Sequence, residues 1–173
     1  MATAIILGSA RNHGNTHQLA LQIANHTECV IFNLADYNIS HYDYEHKNIA
    51  DDFLPLVREI ITFDRFILAT PIYWYSPSSI MKIFMDRLTD LITIEQSIGR
   101  QLKNKSAAII STGNDKIAPQ CFEDIFRLTF QHLHINYLGM LYCPCNKDPQ
   151  QHKTSIISHF IQQLKLSKPT SKK

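Results

Sequence analysis

The chain has 173 residues and a mass of 19.9 kDa, the size of one ordinary domain with a full core. An apolar share of 45% against 18% charged residues excludes a disordered chain, and no apolar run nears the roughly 20 residues of a membrane helix. Net charge is +2, but the stretch KLSKPTSKK (165–173) holds four lysines and no acid; removing those four charges from +2 leaves −2 on the body. The basic balance is thus a property of the tail, and no interleaved aromatic or nucleic-acid motif accompanies it, so neither nucleic acid nor membrane is expected as a partner.

In chain order, short β-type runs alternate with helical ones. The N-terminus is apolar only from Ala2 to Leu7 with no basic leader before it, which reads as a strand and not a signal peptide; a cytoplasmic location is the expectation. TAIILG (3–8), ECVIFNL (28–34), DRFILAT (64–70), KSAAIIST (105–112) and INYLGMLYC (135–143) are near-continuous apolar runs, as strands buried on both faces of a parallel sheet require. Between them, helical spacing predicts helices over 15–26 (Leu19, Ala20, Ile23), 49–62 (Phe53, Leu56, Val57, Ile60, Ile61) and 78–95 (Ile80, Phe84, Leu88, Leu91, Ile92). Two more follow over 119–133, opening on Pro119 and carrying Phe122, Ile125, Phe126 and Phe130, and over 152–166, carrying Ile156, Ile157, Phe160, Ile161 and Leu164. Five strands alternating with five helices predict an α/β fold: a three-layer, doubly wound sandwich with a five-stranded parallel sheet in 2-1-3-4-5 order. It forms a single domain over 1–166, followed by a flexible basic tail over 167–173.

Right-handed crossovers place the strand-to-helix loops on one sheet edge, where ligands of such sheets bind. The first loop, GSARNHGNT (8–16), leads from a strand into a helix N-terminus, which favours an anion. Ser9 and Thr16 supply hydroxyls, Asn15 an amide, Arg11 a full charge, and Gly14 room for the backbone to close round the ligand. The P-loop pattern fails because Gly8 and Gly14 are one residue too far apart and Asn15 stands where the lysine belongs. The dinucleotide fingerprint GxGxxG fails at Ala10. A hydroxyl-rich loop without lysine suits a monophosphate; the other reading is an ordinary loop capped by Asn15 or Thr16.

The second loop, TPIYWYSPSS (70–79), places Tyr73, Trp74 and Tyr75 between two prolines, with the single tryptophan of the chain on a loop. In the 2-1-3-4-5 order it faces the switch point between strands 1 and 3, where a flavin mononucleotide lies in folds of this order. Its aromatics offer a flat apolar wall; packing on a helix or a second subunit is the alternative. The third loop, STGNDK (111–116), offers Thr112, Gly113, Asn114 and Asp115, either to a ligand or to a plain turn.

GSARNHGNT followed by TPIYWYSPSSIMKIFMDR resembles the flavodoxin-like NAD(P)H-dependent FMN reductase family, over about residues 3–165. The resemblance implies FMN at the strand edge and NADPH or NADH as hydride donor. Ser9, Arg11, Gly14, Asn15 and Thr16 would surround the phosphate, Pro71, Ile72, Tyr73 and Trp74 would line the isoalloxazine, and Thr112 and Gly113 would lie nearby. Hydride would pass to the flavin and then to a small acceptor such as a quinone, a nitro or azo aromatic, or free flavin, with no protein acid or base required. Asp86 and Arg87 match a recurrent pair and read as structural, orienting a loop or a subunit contact. An electron-carrying flavodoxin is the runner-up, although such carriers are usually strongly acidic and this body is nearly neutral. A non-enzymatic flavin-binding protein is the third reading.

The segment 35–48, ADYNISHYDYEHKN, has no cysteine, so the cysteine cluster of the related iron–sulfur flavoproteins is not expected. Its Tyr37, His41, Tyr42, Tyr44 and His46 can cap the pocket of a partner subunit, and no metal site is expected there. Cys29, Cys121, Cys143 and Cys145 form no CxxC pair, and Cys143-Pro-Cys145 is too tight for a zinc knuckle, so the cysteines read as reduced thiols. His132 and His134 suit a helix C-terminus and receive no catalytic role. Aromatics near the pocket predict a homodimer or homotetramer.

Overall fold

The computed structural model describes residues 2–11, 13–145 and 150–166, with backbone alone at 150–153; the basic tail assigned to 167–173 lies outside them. The elements run β1 (Thr3–Leu7), α1 (Asn15–His26), β2 (Cys29–Asn33), a 3₁₀ turn (Leu34–Asp36), α2 (Phe53–Ile60), β3 (Arg65–Tyr73), β4 (Ser76–Pro77) and α3 (Ser79–Thr93). They continue as α4 (Gln96–Leu102), β5 (Ser106–Gly113), α5 (Gln120–His132), β6 (Asn136–Pro144) and α6 (Gln150–Leu166). Five parallel strands lie in the order β2-β1-β3-β5-β6. Setting aside β4, a two-residue antiparallel addition to β3, this is the doubly wound 2-1-3-4-5 arrangement.

Alternation along the buried strands divides the interior in two. Ala4 and Ile6 of β1, Phe66 and Leu68 of β3, and Ala107 and Ile109 of β5 face a core built with α2 to α5, including Phe53, Phe84, Phe122, Phe126 and Phe130. Ile5, Leu7, Ile67, Ala69, Ala108 and Ile110 face the other core, built with Leu19 and Ile23 of α1 and Ile157, Phe160 and Ile161 of α6. Apolar burial on both faces is why these strands read as unbroken hydrophobic runs.

Three departures from the sequence expectation concern α2 and α3. The helix expected over 49–62 is only Phe53–Ile60, because Asp51 leaves the helix to accept a hydrogen bond from the Phe53 amide (3.0 Å). The helix expected over 78–95 ends at Thr93, and a separate α4 follows after Glu95. On α3 the buried stripe is Met81, Phe84, Met85, Arg87, Asp90 and Leu91; Ile92, which the spacing puts in the core, is 43% exposed.

Arg87 is the largest fully buried side chain of the described residues. It donates to Asp90 through Nε (2.7 Å), to the Ser40 carbonyl (3.1 Å) and to Asp51, and lies 4.7 Å over the Phe53 ring. Asp51 also accepts from the Ser40 amide (2.8 Å), and Asp90 meets His46 Nδ1 (3.1 Å). The irregular stretch between the 3₁₀ turn and α2 is therefore fastened to α3 by the Arg87 guanidinium, with the His46–Asp90 contact beside it. Asp86 beside it is a surface partner of Lys82, so the two residues of the MDR pair have separate tasks.

Burial alone would raise the Asp51 carboxyl, but the Arg87 hydrogen bond and the Ser40 and Phe53 amides outweigh it and hold it below its ordinary value. A depressed carboxyl stabilises the fold fully above its unfolded value of about 3.9, and that contribution is lost as pH falls through the lower folded value. Arg87→Ala leaves Asp51 and Asp90 without their shared cation, at an expected cost of about 3–5 kcal/mol. Urea unfolding at neutral pH should show that loss, and acid titration should show a shallower low-pH decline in the variant than in the native chain.

Candidate functional site

The C-terminal ends of β1, β3 and β5 are tied by buried hydroxyls. Ser78 Oγ donates to the Gly8 carbonyl (2.7 Å) and caps α3 by accepting from the Met81 amide (3.2 Å). Thr70 Oγ1 accepts from the Ser78 amide (3.1 Å), and Ser111 Oγ donates to the Thr70 carbonyl (2.7 Å). Gly8 passes so close to α3 that a Cβ there would lie 2.7 Å from Met81 Cβ. Each of the three loops is thereby placed against the next.

Across this edge lies a cavity of about 360 Å³, within the range of about 300–1,000 Å³ usual for small-molecule sites. One wall is the first loop: Ser9, Arg11, His13, Gly14, Asn15 and Thr16. Gly14 is the N-cap of α1 and has no side chain to cap it, and the first turn carries no acid. The first amides of α1 thus meet no side-chain acceptor at the cap, and the partial positive end of the helix faces the cavity. Asn15 and Thr16 do not cap the helix themselves. Thr16 is buried, with its Oγ1 2.7 Å from Thr112 Oγ1, which leaves its backbone amide, more than its hydroxyl, to serve a ligand. Among the described residues Arg11 has no carboxylate partner and is exposed at the rim.

The opposite wall is Pro71, Ile72 and Tyr73 of β3, with Thr112, Gly113 and Asn114 at the end of β5 and Cys145 beyond β6. A Cβ at Gly113 would stand 2.8 Å from the Tyr142 hydroxyl, so a side chain there would displace the end of that tyrosine. That hydroxyl donates to the Asp115 carbonyl (2.7 Å) and so holds the third loop in place. Burial, reinforced by Asp115, raises the Tyr142 phenol above its ordinary value, so it remains a donor.

Ten of the eleven residues singled out from sequence line this cavity; Trp74 does not. It sits at the tip of a two-residue hairpin, with Ile72 paired to Pro77 and Tyr73 to Ser76. Trp74 and Tyr75 have φ of 48° and 65°, the double left-handed geometry of a type I′ turn that normally takes Asn-Gly. Trp74 is 93% exposed, Tyr75 59% and Tyr73 44%. The hairpin throws two bulky aromatics into solvent beside the cavity mouth at a backbone cost of about 1–2 kcal/mol each. His13 and Cys145 were not singled out as site residues. The loop position of His13 was a usable signal; the placement of Cys145 depends on strand register.

A second cleft of similar volume lies at the other sheet edge, among Thr3, His26, Cys29, Arg65 and Lys165. It adjoins the C-terminal, electronegative end of α1 and lacks the convergent loops of the first. In the 37–48 stretch His46 meets Asp90, and the Tyr42 ring lies edge to edge with those of Tyr44 and His46.

Fold and cavity together define a doubly wound α/β protein with a ligand-sized site at its strand edge. The family model described as NADPH-dependent FMN reductase matches residues 1–150, and the chain belongs to that family of NAD(P)H-dependent flavin oxidoreductases, with FMN as cofactor. A protein of Bacillus subtilis (strain 168), YwqN, named provisionally as an NAD(P)H-dependent FMN-containing oxidoreductase, is 30% identical over 140 residues, covering 73% of this chain and 77% of that one. Among solved structures, the Trp repressor binding protein of Bacillus subtilis superposes with a TM-score of 0.73 at 22% identity, covering 96% of this chain and 99% of that one. An FMN-dependent NADH-azoreductase of Bacillus anthracis, in complex with FMN, superposes with a TM-score of 0.70 at 10% identity, covering 97% and 100%. An NADPH-quinone reductase of P. pentosaceus gives 0.71 at 19%, covering 94% and 96%. These structures share the fold.

Replacing Trp74-Tyr75 by Asn-Gly should raise stability by about 1–2 kcal/mol, since both positions then suit the turn, while removing the aromatic surface at the mouth. A higher Tm with lowered flavin-dependent turnover is the expected pair of results.

Proposed function

We propose that the chain passes hydride from NAD(P)H through FMN to a small acceptor: a quinone, a nitro or azo aromatic, or free flavin. The observation that carries this reading is the meeting, at one sheet edge, of a helix N-terminus with no side-chain cap and an arginine without a carboxylate partner among the described residues with an aromatic hairpin across a cavity of ligand size. The donor set suits a flavin phosphate: amides of α1, Ser9, Asn15 and Arg11 at the anion end, with Thr16 giving its amide while its hydroxyl stays with Thr112. Pro71, Ile72 and Tyr73 would border the ring system, with Thr112 and Gly113 at its polar edge. When bound, FMN supplies the two-electron hydride chemistry. The protein then has to bind, orient and shield; Tyr73 and the hairpin leave a slot at the mouth where a planar donor and a planar acceptor can take turns. The quinone and azo acceptors named for structurally similar proteins fit such a slot.

The test is an anaerobic titration of the FMN-loaded chain with NADPH and NADH, following the blue flavin band. Bleaching is expected, and the more effective nucleotide names the donor. Retained flavin that stays oxidised would favour an electron carrier. Arg11→Ala should weaken FMN about 10–100-fold, as loss of a charge-assisted hydrogen bond does, and leave riboflavin, which lacks the phosphate, nearly unchanged. Equal losses for both ligands would overturn the assignment of Arg11 to the phosphate.

We also propose a cytoplasmic homodimer. Exposed Ile92 and Leu128 flank a groove between α3 and α5 with Met85, Leu88 and Leu133, and Trp74 and Tyr75 add exposed aromatic area. The four cysteines, none in a disulfide, suit a reducing compartment. Light scattering should give twice the chain mass, and Leu128→Arg should give the monomer; a monomeric native chain would overturn the reading.

A further inference from the structure

Beside the flavin cavity runs a narrower cleft between α1 and the end of β6, of about 90 Å³, too small for a nucleotide and large enough for an ion. Cys143 and Cys145 both line it, with Asn15, Gln18, Gln22 and Thr112. Their joint presence follows from strand geometry. Cys143 pairs with Thr112 and Pro144 with Gly113 in the β5–β6 ladder, and the Cys145 amide donates to the Gly113 carbonyl (2.7 Å), which carries the extended register one residue further. Residues two apart on a strand point to the same face, about 6.6 Å apart along it. Leu141 and Cys143 lie on the α1/α6 side of the sheet, and Cys145 continues that row, whereas Tyr142 faces the other way to reach Asp115. Pro144 between them restricts the backbone.

We infer that Cys143 and Cys145 form a dithiol chelating site for a thiophilic ion such as trivalent arsenic. The donor chemistry selects the class. The polar groups of the described lining are amides, a hydroxyl and two thiols, beside the apolar Leu19, Pro144 and Ile157 and with no carboxylate or imidazole among them, and no group of three His, Cys, Asp or Glu ligands occurs among the described residues. Hard cations need carboxylate or carbonyl oxygens and structural zinc needs four ligands, whereas two sulfurs satisfy a soft centre of low coordination number. Cys145 also lines the flavin cavity, so an occupant would stand at its rim. The site is independent of the flavin reading.

The probe is phenylarsine oxide, whose arsenic takes two thiols. Two S–H bonds break and two As–S bonds form; the two protons leave with the arsenic-bound oxygen as water, and arsenic remains trivalent. The full-length chain should take up one phenylarsenic unit per molecule, read by intact mass. The adduct should survive excess glutathione, a monothiol, and be removed by dithiothreitol, because both sulfurs act as one intramolecular chelate. Cys145→Ser, at a half-buried position one residue beyond β6, should weaken the adduct by about 100-fold or more, with an unchanged circular dichroism spectrum. Cys143→Ser should do the same, and the double variant Cys29→Ser/Cys121→Ser should bind as the native chain does. An adduct that glutathione strips, or one that persists in Cys145→Ser, would overturn the inference.

Discussion

One buried hydroxyl holds the working edge of this protein together. Ser78 Oγ meets the Gly8 carbonyl on one side and the first turn of α3 on the other. A serine is small enough to occupy this crossing and carries both a donor and an acceptor, which the crossing needs. Through it the loop after β1 and the aromatic hairpin after β3 take fixed positions relative to each other. Thr70 and Ser111 extend the same node to β5. Buried polar groups are costly unless satisfied; here each satisfies another, so the cost of burial is converted into alignment of three loops from three strands.

The site itself divides by chemistry. At one end the protein presents what an anion needs without a bound cation: backbone amides at a helix start, two polar side chains and one arginine. At the other end it presents a strained turn whose side chains are far larger than the backbone geometry favours. Strain of this kind persists only where the surroundings enforce it and tends to accompany function. The β3–β4 pairing is the enforcing element, since two ladder partners on either side leave two residues to make the reversal.

The fold was legible because buried parallel strands leave an unmistakable trace, and the boundaries of α1 were readable to the residue. What escaped were features decided by single polar side chains. Asp51 shortens α2, and α4 separates from α3 after Glu95; neither event disturbs apolar periodicity, the signal on which the helix expectations rest. Ile92 kept the right spacing but lies outward, because spacing fixes a helix face and not how far around it the core reaches. For the site, loop position after a strand was enough to gather ten residues on one cavity. It was not enough for Trp74, whose left-handed backbone turns it out to solvent, nor for Cys145, which arrives through the ladder between β5 and β6.

The division of the interior into two cores has a consequence for motion. The sheet is a partition: α1 and α6 pack on one side of it, and the Arg87-fastened stretch with α2 to α5 on the other. The anion loop enters a helix of the first compartment, and the hairpin leads into a helix of the second. The cavity is therefore a seam between two separately packed halves. A local opening on the Arg87 side can loosen the aromatic lip while the amides of α1 stay where they are, so ligand grip and ligand access can vary independently on the same scaffold.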